Sequence, residues 1–418
     1  MTRVAVLGLG TAGAAAARAC ARAGLDVVGF ERGPLDQAGA RWVNGVPRWA
    51  FEAGGLPDPV VPELRGAEGA FHLVGGWGPE RVSLSSSLEV DMRHLVARLQ
   101  ADAAEAGAEL RGEVAVRVEG DALWVGDERV EADVLVDATG HCGLRLLGQP
   151  EHAPADLCTA AQKVHRVADM GGARRFLEAW SAREGEVVCF SGVAGGYSIV
   201  NVRVEGDEVA LLTGSLPPHP SGNALLRRFV EEHRWIGEPK FGGSRTIPVR
   251  RAWACVGRGR VALLGDAAAQ VYPAHGSGIG MQLAAAALLA EALAAGRGPW
   301  AYNVAWQRAY GGLLAASDLF RRFSAGLQPE DVRALMRRGV LSAGLMGDAM
   351  AQRPVRPDPA SLAKAASGLA RLPRLAARLA PVLARMRAAE AWYERYPRDP
   401  AALPRWTAGL ARLTGVAD

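Results

Sequence analysis

The chain has 418 residues, of which 49% are hydrophobic and 22% charged, and its mean hydropathy is +0.04. This balance excludes a disordered or collagen-like chain and allows two or three domains. The formal charge is only +4, and arginine supplies all but three of the 48 basic residues, so no nucleic-acid function follows from the excess. The cysteines at 20, 142, 158, 189 and 255 are widely spaced and lack a C-x-x-C, which argues against a disulfide framework and against a metal site. The same usage points to a reducing compartment, and a cytoplasmic location is expected. The longest apolar run, Met281 to Gly296, carries Glu291 and is too short to span a bilayer.

Arg3 to Leu7 reads as a buried strand that ends in glycine. Gly8-Leu9-Gly10-Thr11-Ala12-Gly13 then opens an Ala-rich helix ending near Gly24, and Leu25 to Phe30 forms a second strand closed by Glu31 and Arg32. Strand, G-x-G-x-x-G, helix, strand and acid in this order make a dinucleotide-binding unit. Gly8 makes the tight turn, Gly10 admits a pyrophosphate to the backbone, and Gly13 lets helix and strand pack closely. The helix N-terminus offers free N–H groups and a positive dipole end, with Thr11 and Ala12 in its first turn. Glu31 can accept both ribose hydroxyls, and its acid character disfavours a 2′-phosphate. The adenosine therefore belongs to FAD or NAD rather than NADP.

Further along, Val90 to Ala106 reads as a helix, and Val114–Val118 with Leu123–Val125 as a β-hairpin. Val134-Leu135-Val136 is a buried strand leading into Asp137-Ala138-Thr139-Gly140. Residues 187–213 alternate strand-like runs with glycine and acidic turns, as an antiparallel sheet does. Val261 to Leu264 is one more buried strand, followed by Gly265-Asp266. The loop Tyr272-Pro273-Ala274-His275-Gly276-Ser277-Gly278-Ile279-Gly280 opens a long Ala/Leu helix, and the Arg-rich chain beyond 300 reads as helical.

Three separated motifs agree: the first βαβ unit, the central Val-Asp-Ala-Thr-Gly, and Leu-Leu-Gly-Asp-Ala-Ala followed by Pro-x-x-Gly-x-Gly-Ile. Together they resemble the FAD-dependent oxidoreductases of the p-hydroxybenzoate hydroxylase fold, most of all the geranylgeranyl-reductase family. The resemblance implies an α/β fold in which a Rossmann-type FAD-binding domain (1–70, 90–160 and 245–300) is interleaved with an antiparallel-sheet substrate domain (71–89 and 161–244). A helical C-terminal region (301–418) follows. It also implies that Asp266, next to Gly265, contacts the ribityl or phosphate part of FAD. Pro273, Gly276, Gly278 and Ile279 would approach the flavin, the last three through main-chain N–H groups. Asp137 and Gly140 would lie beside the cofactor. An N-cap role for Asp266 and a turn role for Asp137 are the alternatives. Family members carry an Arg on the helix near 92; Met92 takes that place here, with Arg93 next door. The family's tyrosine–tryptophan–phenylalanine–proline motif is not found, and Gly195 to Val200 is the nearest stretch, without the tryptophan. A halogenase is disfavoured, since the first lysine is Lys163 and no Trp-x-Trp-x-Ile-Pro segment occurs.

The function expected is FAD-dependent reduction of a carbon–carbon double bond in a small apolar substrate, prenyl- or polyketide-like. The electron donor, NAD(P)H or a reduced carrier, is left open. A flavin monooxygenase is the alternative, and a non-enzymatic NAD-binding redox sensor, which would carry no flavin, is a third. His275 is the candidate for orienting substrate or donating a proton, against a plain loop histidine bonded to backbone; His141 reads rather as structural. Trp42, Trp49, Phe51, Phe71 and Trp77 would line an apolar pocket or simply fill the core. Residues 360–418 hold ten basic and four acidic side chains. Leu372 to Met386 there suits either a peripheral contact with an anionic membrane or a helix packed on the protein with a solvated basic face.

Overall fold

The structure, a computed structural model, describes residues 1–416. Its first layer is a six-stranded sheet ordered Gly257–Arg258, Val261–Leu263, Val134–Asp137, Arg3–Leu7, Asp26–Phe30 and Glu109–Arg111. All neighbours are parallel except the first pair. Val4, Ala5, Val6 and Leu7 are fully buried, as strands covered on both faces must be. Helices Thr11–Arg22, Met92–Glu105 and Ile279–Ala294 cover one face, and a three-stranded antiparallel sheet covers the other. That sheet adds Glu128–Val130 to the hairpin expected from sequence. The helix expected from Val90 starts at Met92, because Val90 and the fully buried Asp91 end a strand and the Asp91 carboxylate caps the Arg93 N–H.

The second layer is a seven-stranded sheet ordered Ile236–Pro248, Leu157–Val167, Glu208–Ser215, Ser198–Glu205, Val187–Ser191, Ala70–Gly75 and Arg81–Ser85. Only Val187–Ser191 and Ala70–Gly75 run parallel. Two of its strands straddle the limits at 161 and 244 expected from sequence. Helices Met170–Ala179 and Gly222–Glu232 pack on one face of this sheet. On the other face, Phe71, Leu73 and Cys189 meet Phe323, Val332, Leu335 and Leu379 of the C-terminal helices. Gln162 ties the small sheet around Val43–Val46 to this layer: its side chain accepts from the Val43 N–H at 2.7 Å and donates back to the Val43 carbonyl.

Beyond residue 298 the described chain is helical. Helix Pro373–Glu394 buries Leu375, Leu379, Ala389 and Tyr393, and leaves Arg374 and Arg385 exposed. Its close approach to helix Gly312–Ser324 needs small residues. A Cβ on Gly311 would lie 2.4 Å from the Tyr393 ring, so only glycine admits the contact. The helix thus packs on the protein and leaves a basic face exposed. Among the described residues no helix is long and apolar enough to cross a membrane.

Candidate active site

The first glycine loop joins Arg3–Leu7 to helix Thr11–Arg22. Gly8 has φ +89°, and a Cβ there would meet the Ala138 carbonyl at 2.6 Å. A Cβ on Gly13 would lie 1.7 Å from the Gly8 carbonyl oxygen, so this position too admits only glycine. The N–H groups of Thr11, Ala12 and Gly13 have no acceptor among the described residues, whereas the Ala14 N–H reaches the Gly10 carbonyl. Glu31 braces the loop by accepting the Leu9 N–H at 2.8 Å through one oxygen and the Arg32 N–H at 2.9 Å through the other. Its remaining lone pairs are free to accept hydroxyls. Arg32 is exposed.

The second loop meets the first. Gly265 has φ +68°, and a Cβ on it would stand 2.7 Å from the Ala12 Cβ, so the segment after Val261–Leu263 lies directly on the start of the first helix. Asp266 is largely enclosed there and caps no helix. Burial pushes its carboxyl up to about 6, opposed by the nearby Arg245 guanidinium. Its side chain accepts one hydrogen bond, from Gln282 at 3.2 Å, which leaves acceptor capacity facing the loops. Pro273 is buried at the start of a turn closed by Tyr272 N–H to the Ser277 carbonyl at 2.9 Å. The Gly276 N–H is engaged inside this turn with the Tyr272 carbonyl, which corrects the expectation that it is free for a ligand. The N–H groups of Gly278, Ile279 and Gly280, in the next helix's first turn, have no acceptor among the described residues.

Other expected residues are committed elsewhere. Asp137 is fully buried, and its carboxylate accepts from the Thr139 N–H, the Thr139 hydroxyl and the Leu146 N–H. It fastens a turn. Gly140, at φ +86°, and His141 border a hollow with Gln149, His152 and Trp253 that reaches the second loop at Ala267. Arg93 pairs with Asp91 through two hydrogen bonds of 2.9 and 2.6 Å and lies 3.8 Å over the Phe241 ring, while Met92 is fully buried. No cation therefore projects from that helix start toward the loops. Trp42, Phe51 and Phe71 belong to the packed core, and Trp77 is half exposed against Phe190 and Phe229. Trp49 does stand at the second loop's helix, with its indole N–H on the Ala351 carbonyl at 2.8 Å.

His275 packs at a tilt on Tyr272, 4.7 Å between ring centroids, close to the Ala349 backbone, and its Nε2 is buried with no partner among the described residues. Burial pushes its imidazole down to about 4, so it is neutral at neutral pH. Sequence reasoning missed Arg245, Gly39 and Gln282, and gave Tyr197 no role although it lies in the Gly195–Val200 stretch nearest to the family's tyrosine motif. The first two are brought to the loops by strand pairing and chain reversal, which leave no local signal. Tyr197 is 7% exposed, its hydroxyl is 3.3 Å from a Cβ built on Gly276, and it has no hydrogen-bond partner among the described residues.

No family model matches the chain. It is 30% identical over 336 residues to a menaquinone reductase of Mycolicibacterium smegmatis, a match covering 72% of this chain and 78% of that enzyme. It is 27% identical over 173 residues to a digeranylgeranylglycerophospholipid reductase of Sulfolobus acidocaldarius, covering 39% of this chain and only 38% of that protein. Among solved structures, a geranylgeranyl bacteriochlorophyll reductase-like protein of Thermoplasma acidophilum superposes with a TM-score of 0.69 at 17% identity, covering 90% of this chain and all of that one. The halogenase PltM in complex with FAD gives 0.62 at 14% identity, covering 99% and 95%. At these identities the superpositions establish the fold, shared by reductases and halogenases alike. With the mycobacterial match over most of both chains, they show that this chain belongs to the geranylgeranyl-reductase family of FAD-dependent oxidoreductases.

Proposed function

We propose that FAD lies across the two glycine loops and that the enzyme reduces a carbon–carbon double bond in an isoprenoid lipid. The observation that carries the cofactor part is the contact of Gly265 with Ala12, which sets two groups of unpaired N–H donors beside one half-satisfied acid. A cofactor with a diphosphate in its middle and hydroxyls on either side fits that donor set. In this reading Gly8, Gly10, Glu31 and Arg32 serve the adenosine end, and the Thr11, Ala12 and Gly13 N–H groups serve the diphosphate. Asp266, beside Gly265, accepts hydroxyls, and Gly278 and Ile279 face the flavin, with Pro273 shaping the turn. The six-stranded sheet and its helices hold the cofactor, and the seven-stranded sheet with the C-terminal helices encloses the substrate.

Once bound and reduced, FAD supplies two electrons and a hydrogen to one carbon of the double bond. The chain must orient the alkene, exclude water and provide a proton to the other carbon. Tyr197, whose hydroxyl lies against Gly276 of the second loop, is one proton source on this reading; burial holds its phenol protonated. His275, neutral and close to the Ala349 backbone, positions the loop and its cover. The substrate class follows the names of the two relatives, one a reductase of a lipid with prenyl chains, the other of a prenylated quinone. The electron donor is NAD(P)H or a reduced carrier.

The purified chain is expected to show flavin absorption. With the flavin reduced by dithionite under nitrogen, menaquinone or a geranylgeranyl lipid should reoxidise it and gain two hydrogens. A flavin that stays reduced until air is admitted, with labelled oxygen entering the product, would make the enzyme a monooxygenase. A chain purified without flavin, and unable to take it up, would leave only the redox-sensor reading.

A further inference from the structure

We infer that Arg245 supplies the cationic side chain that grips the diphosphate of FAD, reaching from the seven-stranded sheet onto the first glycine loop of the other sheet. The inference rests on the FAD reading of the loops. Arg245 lies on strand Ile236–Pro248, paired with Ala160. Its guanidinium donates to the Gly39 carbonyl. Gly39 is packed on the loop: its Cα is 3.2 Å from a Cβ built on Gly10, and a Cβ built on Gly39 would lie 3.5 Å from the Thr11 nitrogen. The guanidinium therefore stands beside the unpaired N–H groups of the first helix turn. It also lies close enough to Asp266, on the second loop, to oppose the effect of burial on that carboxyl. A single side chain thus faces both loops where they meet.

Charge gives the position its meaning. A diphosphate brings two negative charges, and Asp266 adds a third when ionised, against a helix end worth only about half a positive charge. A guanidinium is always charged and carries several donors in a planar fork suited to phosphate oxygens. Arg245 is exposed, and the Gly39 carbonyl is its sole acceptor among the described residues, so most of its donors are uncommitted. Arg32 is also uncommitted but lies beyond Glu31, at the adenosine end, and the remaining arginines near the loops are occupied. Arg93 is held by Asp91, Arg98 by Glu63, and Arg18 by Asp102 and the Gly55 carbonyl. Because Arg245 belongs to the substrate-side sheet, FAD would pin the two sheets together through its phosphates.

The test is fluorescence titration of the full-length apo chain with FAD and with riboflavin, which lacks phosphate, for wild type, Arg245→Ala and Arg245→Lys. Arg245→Ala is expected to weaken FAD by about ten-fold or more while riboflavin changes less than about two-fold. Arg245→Lys should recover part of the FAD affinity, and the Ala variant should lose part of the salt dependence. Equal weakening of both ligands, with unchanged thermal unfolding, would place Arg245 at the flavin ring and overturn the inference, as would FAD affinity unaffected by either substitution. Wild-type protein that binds neither ligand would overturn the cofactor reading itself, a result separable from the other two.

Discussion

Gly10 offers the sharpest perturbation of the cofactor cradle. Its φ of −65° suits any L-residue, so alanine or valine there adds no backbone strain. The new Cβ would lie 3.2 Å from the Gly39 Cα and 3.4 Å from the Gly39 nitrogen, a few tenths of an ångström too close. The Gly39 segment can yield by that much, at a cost of about 1 kcal/mol in stability. For the ligand the same methyl is more damaging. A phosphate oxygen must come within about 2.9 Å of a backbone nitrogen to bond it, whereas a methyl carbon holds atoms off at about 3.5 Å. Loss of two charge-assisted hydrogen bonds, each worth about 1.5–3 kcal/mol, raises the FAD Kd by about two orders of magnitude or more. Titration of apo Gly10→Val with FAD, alongside its thermal unfolding, reads both effects. Gly24→Ala is the control. Its φ is +80° with nothing within 4 Å of the new Cβ, so it should cost about 1 kcal/mol of stability and leave FAD affinity alone. Gly10→Val with FAD affinity within about three-fold of wild type would refute the placement of the diphosphate.

Asp266 is raised from 3.8 to about 6, so its ionisation works against the folded apo protein as pH climbs from about 4 to 6. Apo Asp266→Asn should therefore be more stable than wild type at pH 7, by on the order of 2 kcal/mol, and the gap should close toward pH 4; urea unfolding across that range checks it. His275 is depressed from 6.5 to about 4, so it favours the folded state above its unfolded pKa, and that contribution fades as pH falls from 6.5 through 4. His275→Gln should flatten the acid limb of the stability curve, whereas Tyr197→Phe should cut turnover at least ten-fold with flavin content unchanged. Arg371, Arg374, Arg385 and Arg387 are exposed near the exposed Leu362 and Leu383. Salt-sensitive flotation with anionic liposomes would show a peripheral membrane contact at that surface, and its absence would leave these helices as a solvated cover.

The parts of the site that were legible in the sequence are those whose geometry is local. Gly8 and Gly13 announce themselves because a Cβ at either would strike backbone from a few residues away or from the adjoining strand. Glu31 sits at a strand end, where the chain direction alone brings it back to Leu9. Asp137 shows the limit of motif reasoning. It occupies the right strand end, but the residues after it turn back and take three of the bonds its carboxylate can accept. Arg93 is similar, since the capping residue two positions before it is also the acid that pairs with its side chain. Arg245 was illegible for the opposite reason. It owes its place to register in a seven-stranded sheet whose pairings join strands many residues apart, and no spacing along the chain encodes that register.

The same distinction bears on what separates reductase from monooxygenase chemistry in this fold. The loops that hold FAD lie on the six-stranded sheet, and halogenase and reductase structures superpose on this chain about equally well, so the cradle does not select the reaction. Selection falls to groups supplied by the other sheet and by the C-terminal helices, which close over the second loop through the Trp49–Ala351 and His275–Ala349 contacts. The cover meets the second loop's helix through Trp49 and lays apolar side chains on the seven-stranded sheet's core. Helix Ala343–Met350, which supplies it, has no fully buried side chain and presents Leu345, Met346 and Met350 only partly buried. Unbranched, polarisable methionines adapt to an irregular apolar partner at little cost. A substrate that is long, apolar and poorly shaped for a rigid pocket is the kind such a cover accommodates, and that favours an isoprenoid chain over a compact aromatic ring.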